Sequence, residues 1–152
     1  KNYHCGYCKK FFQEVSQLIA EDKNVKIVFR EFPILSEDSR LASKAALAVN
    51  SIDKNKYLAF HTALMNFRGE FTIESLISQA KELGIDEATF KKAFENPEID
   101  KQIESNRELA KSLDISGTPA IIIDNEIAPG AIPYSQLKEK VENSRINKGK
   151  TN

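Results

Sequence analysis

The chain has 152 residues, 41% hydrophobic and 29% charged, with 22 basic side chains balancing 22 acidic ones; this is enough for one domain with a real core, or a domain with a sizeable insertion, and is not the composition of a disordered chain. Zero net charge without a polybasic block removes the electrostatic case for nucleic acid or anionic membranes, and no apolar run reaches the ~20 residues of a membrane helix. Two cysteines are too few for a disulfide-dense scaffold or an all-cysteine zinc site.

Both cysteines stand at the start, in Cys5-Gly6-Tyr7-Cys8. Two cysteines dropped at random would fall three apart roughly once in 80 chains, so the spacing itself needs a reason. Phe11, Phe12, Val15, Leu18 and Ile19 follow at helical spacing, which predicts an amphipathic helix beginning near the cysteines. Asp22-Lys23-Asn24 breaks it. The β-branched and aromatic run from Val25 to Phe32 predicts a strand ending at Pro33.

From about Ser36 to Leu113 the pattern is repeatedly helical. Leu41, Ala45 and Val49 mark one helix, and Tyr57, Phe60, Leu64 and Phe67 the next. Thr72 is a candidate N-cap for a helix carrying Ile73, Leu76, Ile77, Ala80 and Leu83, which Gly84 stops. Asp86 can cap another through Phe90 and Phe94. Asn96-Pro97 then opens a longer helix with Ile99, Ile103, Ala110 and Leu113 facing inward.

Beyond Gly117-Thr118-Pro119, the run Ala120–Asp124 suits a strand buried on both faces. Asp124-Asn125 is a turn signal, with Glu126-Ile127-Ala128 returning as an edge strand. Gly130 and Pro133 precede a closing amphipathic helix through Leu137 and Val141. The polar stretch from Asn143 to Asn152 reads as a fraying terminus. The fold class is therefore α/β. Residues 1–35 and 108–146 are expected to form the core, 36–107 a helical insertion and 147–152 a polar tail.

The chemistry is expected at the cysteine pair. On the first turn of a helix, residues i and i+3 lie on one side, and the unpaired N–H groups with the helix dipole stabilise a thiolate. That favours Cys5 as nucleophile and Cys8 as the buried resolving thiol; Lys9 and Lys10 add a little positive charge. The pattern supports reversible thiol–disulfide exchange. A purely structural disulfide across so short a loop would be a poor staple. A zinc half-site would need two more ligands, and no pair with suitable spacing accompanies His4 and His61. Five further polar or aromatic residues read as structural. His4 is expected to be an outward-facing spectator, His61 and Tyr57 to pack, and at least one of Arg30 and Glu31 to face solvent or pair.

Taken together, Cys5-Gly6-Tyr7-Cys8-Lys9, Phe29-Arg30-Glu31-Phe32-Pro33-Ile34-Leu35, Tyr57 with Phe60-His61 and Ala63-Leu64-Met65, Gly117-Thr118-Pro119-Ala120, and Pro129-Gly130-Ala131 resemble the thioredoxin superfamily, in its DsbA-like branch. The resemblance spans nearly the whole chain. It implies a thioredoxin fold with Pro119 cis beside the cysteines, and a protein disulfide oxidoreductase acting on cysteine-containing unfolded or misfolded proteins of the bacterial periplasm or envelope. Catalysis falls to Cys5 and Cys8, whose disulfide is the redox centre without a separate cofactor or metal. Thr118 and Pro119 would bind substrate, the former through its backbone, and with Gly6 and Tyr7 would tune the redox behaviour. A membrane partner that recycles the cysteines and a homo-oligomeric state are further implications.

Two residue choices depart from the strongest oxidases of the family. These carry Pro-His between the cysteines, where this chain has Gly6-Tyr7, and so a less strongly stabilised Cys5 thiolate is expected. Thr118 is similar to what disulfide isomerases of the DsbC kind carry before the proline, whereas DsbA itself usually has valine. Isomerase or reductase activity is the alternative direction, and a non-catalytic peptide- or metal-binding module the alternative class. The family also places a core strand before the cysteine motif, which Lys1-Asn2-Tyr3-His4 is too short to supply. An unfilled slot beside Ile27, Phe29, Ile121 and Ile123 is therefore expected, with upstream residues or a strand from another chain to fill it.

Overall fold

The computed structural model describes residues 2–150. Side chains next to the helix starts write most of its architecture. Helix α1 (Gly6–Glu21) is capped by Cys5, and α2 (Glu37–Ile52) by Ser36, with Glu37 and Asp38 in the first turn, where the helix dipole favours acids. Asp53 caps α3 (Lys54–Asn66), and Thr72 with Ser75 forms a reciprocal capping box on α4 (Ile73–Glu82). Asp86 caps α5 (Glu87–Phe94), and Asn96 with Pro97 opens α6 (Pro97–Ser112). Between α4 and α5 the chain turns at Gly84, whose φ of +77 suits a residue without a Cβ.

After α6 come strands β1 (Ala120–Ile123) and β2 (Glu126–Pro129), paired antiparallel with Ile121 opposite Ala128 and Ile122 opposite Ile127. The expected turn at Asp124-Asn125 is present, Asp124 taking a φ of +53. β1 is not buried on both faces as expected: Ile122 is 47% exposed and Ala120 is exposed, so the hairpin carries one half-covered face. Helix α7 (Tyr134–Lys150) closes the described chain. The fraying terminus expected from Asn143 onward is instead helical to Lys150, fastened by Arg145 to Asp22 at 2.7 Å and Lys148 to Asp124 at 3.1 Å. Thr151 and Asn152 lie outside the described residues, as does Lys1.

The expected strand at Val25–Phe32 alternates between covered and exposed side chains up to Arg30 but joins no sheet among the described residues, whose only ladder is β1–β2. A strand is completed by a neighbour's backbone, however apolar its own sequence. Between this segment and β1 lies a cavity of about 810 Å³, lined by Phe11, Val15, Ile27, Ile121, Ile123 and Leu137 among others. The slot expected from the sequence is present at this position.

Two apolar clusters result. The larger joins Tyr3, Cys5, Cys8 and Phe12 to α2–α6, with Ala45, Phe60, Leu64, Phe90 and Ile103 fully buried. The smaller gathers Phe11, Val15 and Leu18 of α1 against Leu137 and Val141 of α7. Helix α1 is shared between them, and its first turn carries the cysteines.

Candidate active site

Cys5 takes the N-cap position usually held by Ser, Thr, Asp or Asn. Its Sγ accepts the backbone N–H of Cys8 at 3.1 Å. The same thiol faces the carbonyl of Thr118 at 3.3 Å, across 113 residues of sequence. Thr118-Pro119 is a cis peptide bond, as the family resemblance implies, and it places the Thr118 backbone directly against the nucleophile candidate. Both sulfurs are in the thiol form, Cys5 6% and Cys8 2% exposed.

Cys8 is the more confined of the two. Burial pushes its thiol up to about 11, helped by the hydrogen bond it shares with Cys5. The Thr118 side chain and the Asn2 backbone pull the other way, more weakly. Thr118 itself meets the Cys5 sulfur through its carbonyl. Between the cysteines, Tyr7 is 73% exposed and Gly6 has open space where a Cβ would stand. The site thus offers a cleared outer face over a closed inner thiol. All six residues expected at the site, Cys5, Gly6, Tyr7, Cys8, Thr118 and Pro119, meet here.

His4 is exposed, as expected, and turns away from the sulfurs to other partners. Its Nε2 lies 2.5 Å from Asp38 Oδ2 on α2, and its ring stands edge-on to Phe71. Ser36 and His4 together hold the Asp38 carboxyl below the usual carboxylate range. The three residues before Cys5 are tied elsewhere too: Asn2 Oδ1 accepts from His4 N–H at 3.2 Å and from Ser39 Oγ at 2.7 Å, and the Asn2 carbonyl accepts from Cys5 N–H.

Sequence reasoning also missed a buried polar cluster under this lead. Glu31 is fully buried in the apolar segment, while neighbouring Arg30 is exposed and reaches Asn106 at 3.4 Å. Glu31 Oε1 accepts from Tyr3 at 2.9 Å and Tyr57 at 2.8 Å, and Oε2 from Ser43 at 3.1 Å. His61, fully buried, meets the Tyr3 hydroxyl through Nδ1 at 2.6 Å. Burial, with the Glu31 charge next, holds the Tyr3 and Tyr57 phenols far above their usual range. The available signal was a carboxylate inside an apolar run, which must find donors if it is buried. Among the described residues no group of three or more His, Cys, Asp or Glu side chains is placed to hold a metal ion.

The family model of the DSBA-like thioredoxin domain matches residues 2–142. The chain belongs to this family. Its members are thiol–disulfide oxidoreductases that act on cysteine-containing proteins. Among solved structures, the thiol-disulfide exchange protein alpha-DsbA2 from Wolbachia pipientis is 38% identical with a TM-score of 0.89, covering 94% of this chain and 77% of its own. A periplasmic thioredoxin-like protein from Salmonella enterica serovar Typhimurium is 28% identical with a TM-score of 0.84, covering 95% and 80%. The disulfide bond formation protein D of Bacillus subtilis (strain 168) is 24% identical over 151 residues, spanning 93% of this chain and 68% of the relative. The DsbA-like fold, with its helical insertion and small sheet, is therefore that of a disulfide oxidoreductase.

Proposed function

We propose that the protein oxidises cysteine pairs of envelope or secreted proteins through Cys5 and Cys8. The observation that carries this reading is the placement of the Cys5 sulfur between the Cys8 N–H and the Thr118 carbonyl, with Cys8 enclosed behind it. A substrate thiolate attacks Cys5 Sγ of the disulfide form; the Cys5–Cys8 bond breaks, and Cys8 leaves as a thiolate that takes a proton. A second substrate thiolate then attacks the substrate sulfur of the mixed disulfide. The substrate leaves oxidised and the protein is left as the dithiol, two electrons richer. The N–H groups of the first turn stabilise Cys5 as the departing thiolate. The sulfur pair itself carries the electrons, so no separate cofactor takes part.

In this reading Thr118 and Pro119 receive an extended substrate segment, and Gly6 leaves room for it over Cys5. Work in the periplasm or envelope, with a membrane partner that reoxidises the dithiol, is in keeping with the periplasmic relative. The isomerase or reductase direction is favoured by the identity of Thr118, which is similar to what disulfide isomerases of the DsbC kind carry before the proline.

Equilibration with glutathione buffers separates the directions. A potential near about −120 mV supports net oxidation, and one near about −270 mV supports reduction. Cys5→Ala abolishes turnover while leaving the fold intact; a variant that still turned over substrate, or a wild type unable to form the Cys5–Cys8 disulfide, overturns the reading. A binding module would instead keep its partner after the same substitution.

A further inference from the structure

The chain enters Cys5 through a turn, and Asn2 builds that turn. The Asn2 carbonyl accepts the Cys5 N–H at 3.2 Å, closing four residues over Tyr3 and His4. Asn2 Oδ1 accepts the His4 N–H at 3.2 Å, so the side chain fastens the same turn a second time, as in an Asx-turn. Ser39 Oγ, from the first turn of α2, donates to that Oδ1 at 2.7 Å and is itself fully buried. The other ties on the turn act far from its backbone: Tyr3 through the hydroxyl at the end of its ring, His4 through a partly exposed imidazole on Asp38. Asn2 is 0% exposed, and its Nδ2 has no partner among the described residues. Burying an unpaired amide donor is unfavourable, and an apolar side chain would fill the space without that cost. The position therefore uses the Oδ1. What the turn delivers is Cys5 at φ −82 and ψ 109, the extended backbone of an N-cap, which lets Sγ accept the Cys8 N–H at 3.1 Å.

We propose that Asn2 and Ser39 are positioning residues for Cys5, holding its backbone at the N-cap so that the sulfur keeps the Cys8 N–H when it carries charge. This rests on the reading that Cys5 is the exchanging sulfur. When the second substrate thiolate attacks the mixed disulfide, a bond forms between the two substrate sulfurs and the bond to Cys5 breaks. Cys5 Sγ keeps that electron pair and departs as a thiolate. A hydrogen bond to a charged sulfur is stronger than one to a neutral thiol, so the N–H matters most at this moment. A loosened turn lets Cys5 rotate off the cap and leaves the thiolate without its donor.

The experiment measures iodoacetamide alkylation of Cys5 in a Cys8→Ala parent, which removes the second thiol and keeps the backbone N–H at that position. Asn2→Ala is expected to slow alkylation about fivefold or more at about pH 7. At about pH 10, where a thiol ionises with or without a donor, the rate should lie within about twofold of the parent. Ser39→Ala leaves Asn2 in place but frees it from α2, and should slow alkylation by about threefold at the lower pH. Asn2→Ser keeps an oxygen for the His4 N–H and should recover part of the Asn2→Ala loss. Thr72→Ala removes the cap of α4, weakening the fold without touching the turn, and should alkylate as the parent does. A parent rate in Asn2→Ala, an equal loss at both pH values, an unaffected Ser39→Ala, an Asn2→Ser as slow as Asn2→Ala, or a Thr72→Ala as slow as Asn2→Ala would each overturn the proposal. A parent whose Cys5 alkylates no faster at about pH 7 than the thiol of glutathione would instead sink the reading of Cys5 as the exchanging sulfur, and this inference with it.

Discussion

The two apolar clusters that flank helix α1 differ in closure more than in composition. On the insertion side, Phe60, Leu64, Leu76, Phe90 and Ile103 are all at 0% exposure, and even the polar Glu31 and His61 are enclosed and hydrogen-bonded. On the hairpin side the cluster has five buried members among the described residues; Val25, Ile27, Ile121 and Ile123 are partly covered and face the 810 Å³ cavity. The helices of the insertion satisfy their own backbone and need only side-chain packing. The extended segment and the hairpin depend on neighbours for both. Closure is thus unequal on the two sides of one helix, and the Cys8 thiol belongs to the closed side.

Truncation measures that inequality most directly. Phe60→Ala is expected to cost about 3–5 kcal/mol in chemical denaturation, because a closed cluster cannot collapse onto the void. Ile121→Ala is expected to cost less than half of that, since its side chain already borders open space; equal losses would mean the hairpin side is as well packed as the insertion.

A smaller effect sharpens the position of Cys8. Its thiol, pushed up to about 11 in the fold, lies near about 8.5 in the unfolded chain. The reduced folded protein holds a proton that the unfolded chain releases. This contribution is therefore complete below about pH 8.5 and is lost as pH rises toward 11. Between pH 7 and 9.5 the reduced wild type should lose about 1 kcal/mol more than a reduced Cys8→Ala variant; parallel pH curves would place Cys8 in a wetter setting than the structure does. The smallest effect belongs to the open side. Lys148→Ala breaks an exposed contact with Asp124, and any change in unfolding midpoint should vanish at high salt.

Much of the insertion was legible because helices announce themselves locally. Thr72, Asp86 and the Asn96-Pro97 pair stand where the structure uses them as caps, and Gly84 stops α4 as its backbone requires. The cysteine pair was legible for the same reason, its spacing being one turn of helix. Val25–Phe32 reads as a strand and is not paired as one among the described residues, since pairing is decided by chain far from the segment. The tail was misread because polar composition hides ion pairs to Asp22 and Asp124, more than 20 residues away. The Glu31 cluster was invisible for a stronger version of the same reason. Tyr3 meets Glu31 across 28 residues and His61 across 58, and no local pattern encodes either meeting.

Adjacent Phe11 and Phe12 point from α1 into different clusters, about 100° apart around the axis. A helix gripped this way has no free rotation: turning it to relieve one aromatic ring drives the other into packed atoms. Lys9 adds a third grip by donating to the Phe67 carbonyl at 2.9 Å. The cysteine helix therefore behaves as a fixed axle, and making or breaking a sulfur–sulfur bond at its end must be accommodated by the sulfur torsions and the short lead from Asn2 to His4. Thiol–disulfide exchange proposed for this site is thus a local event, felt by the insertion through that lead and through the core that Cys5 and Cys8 share with it.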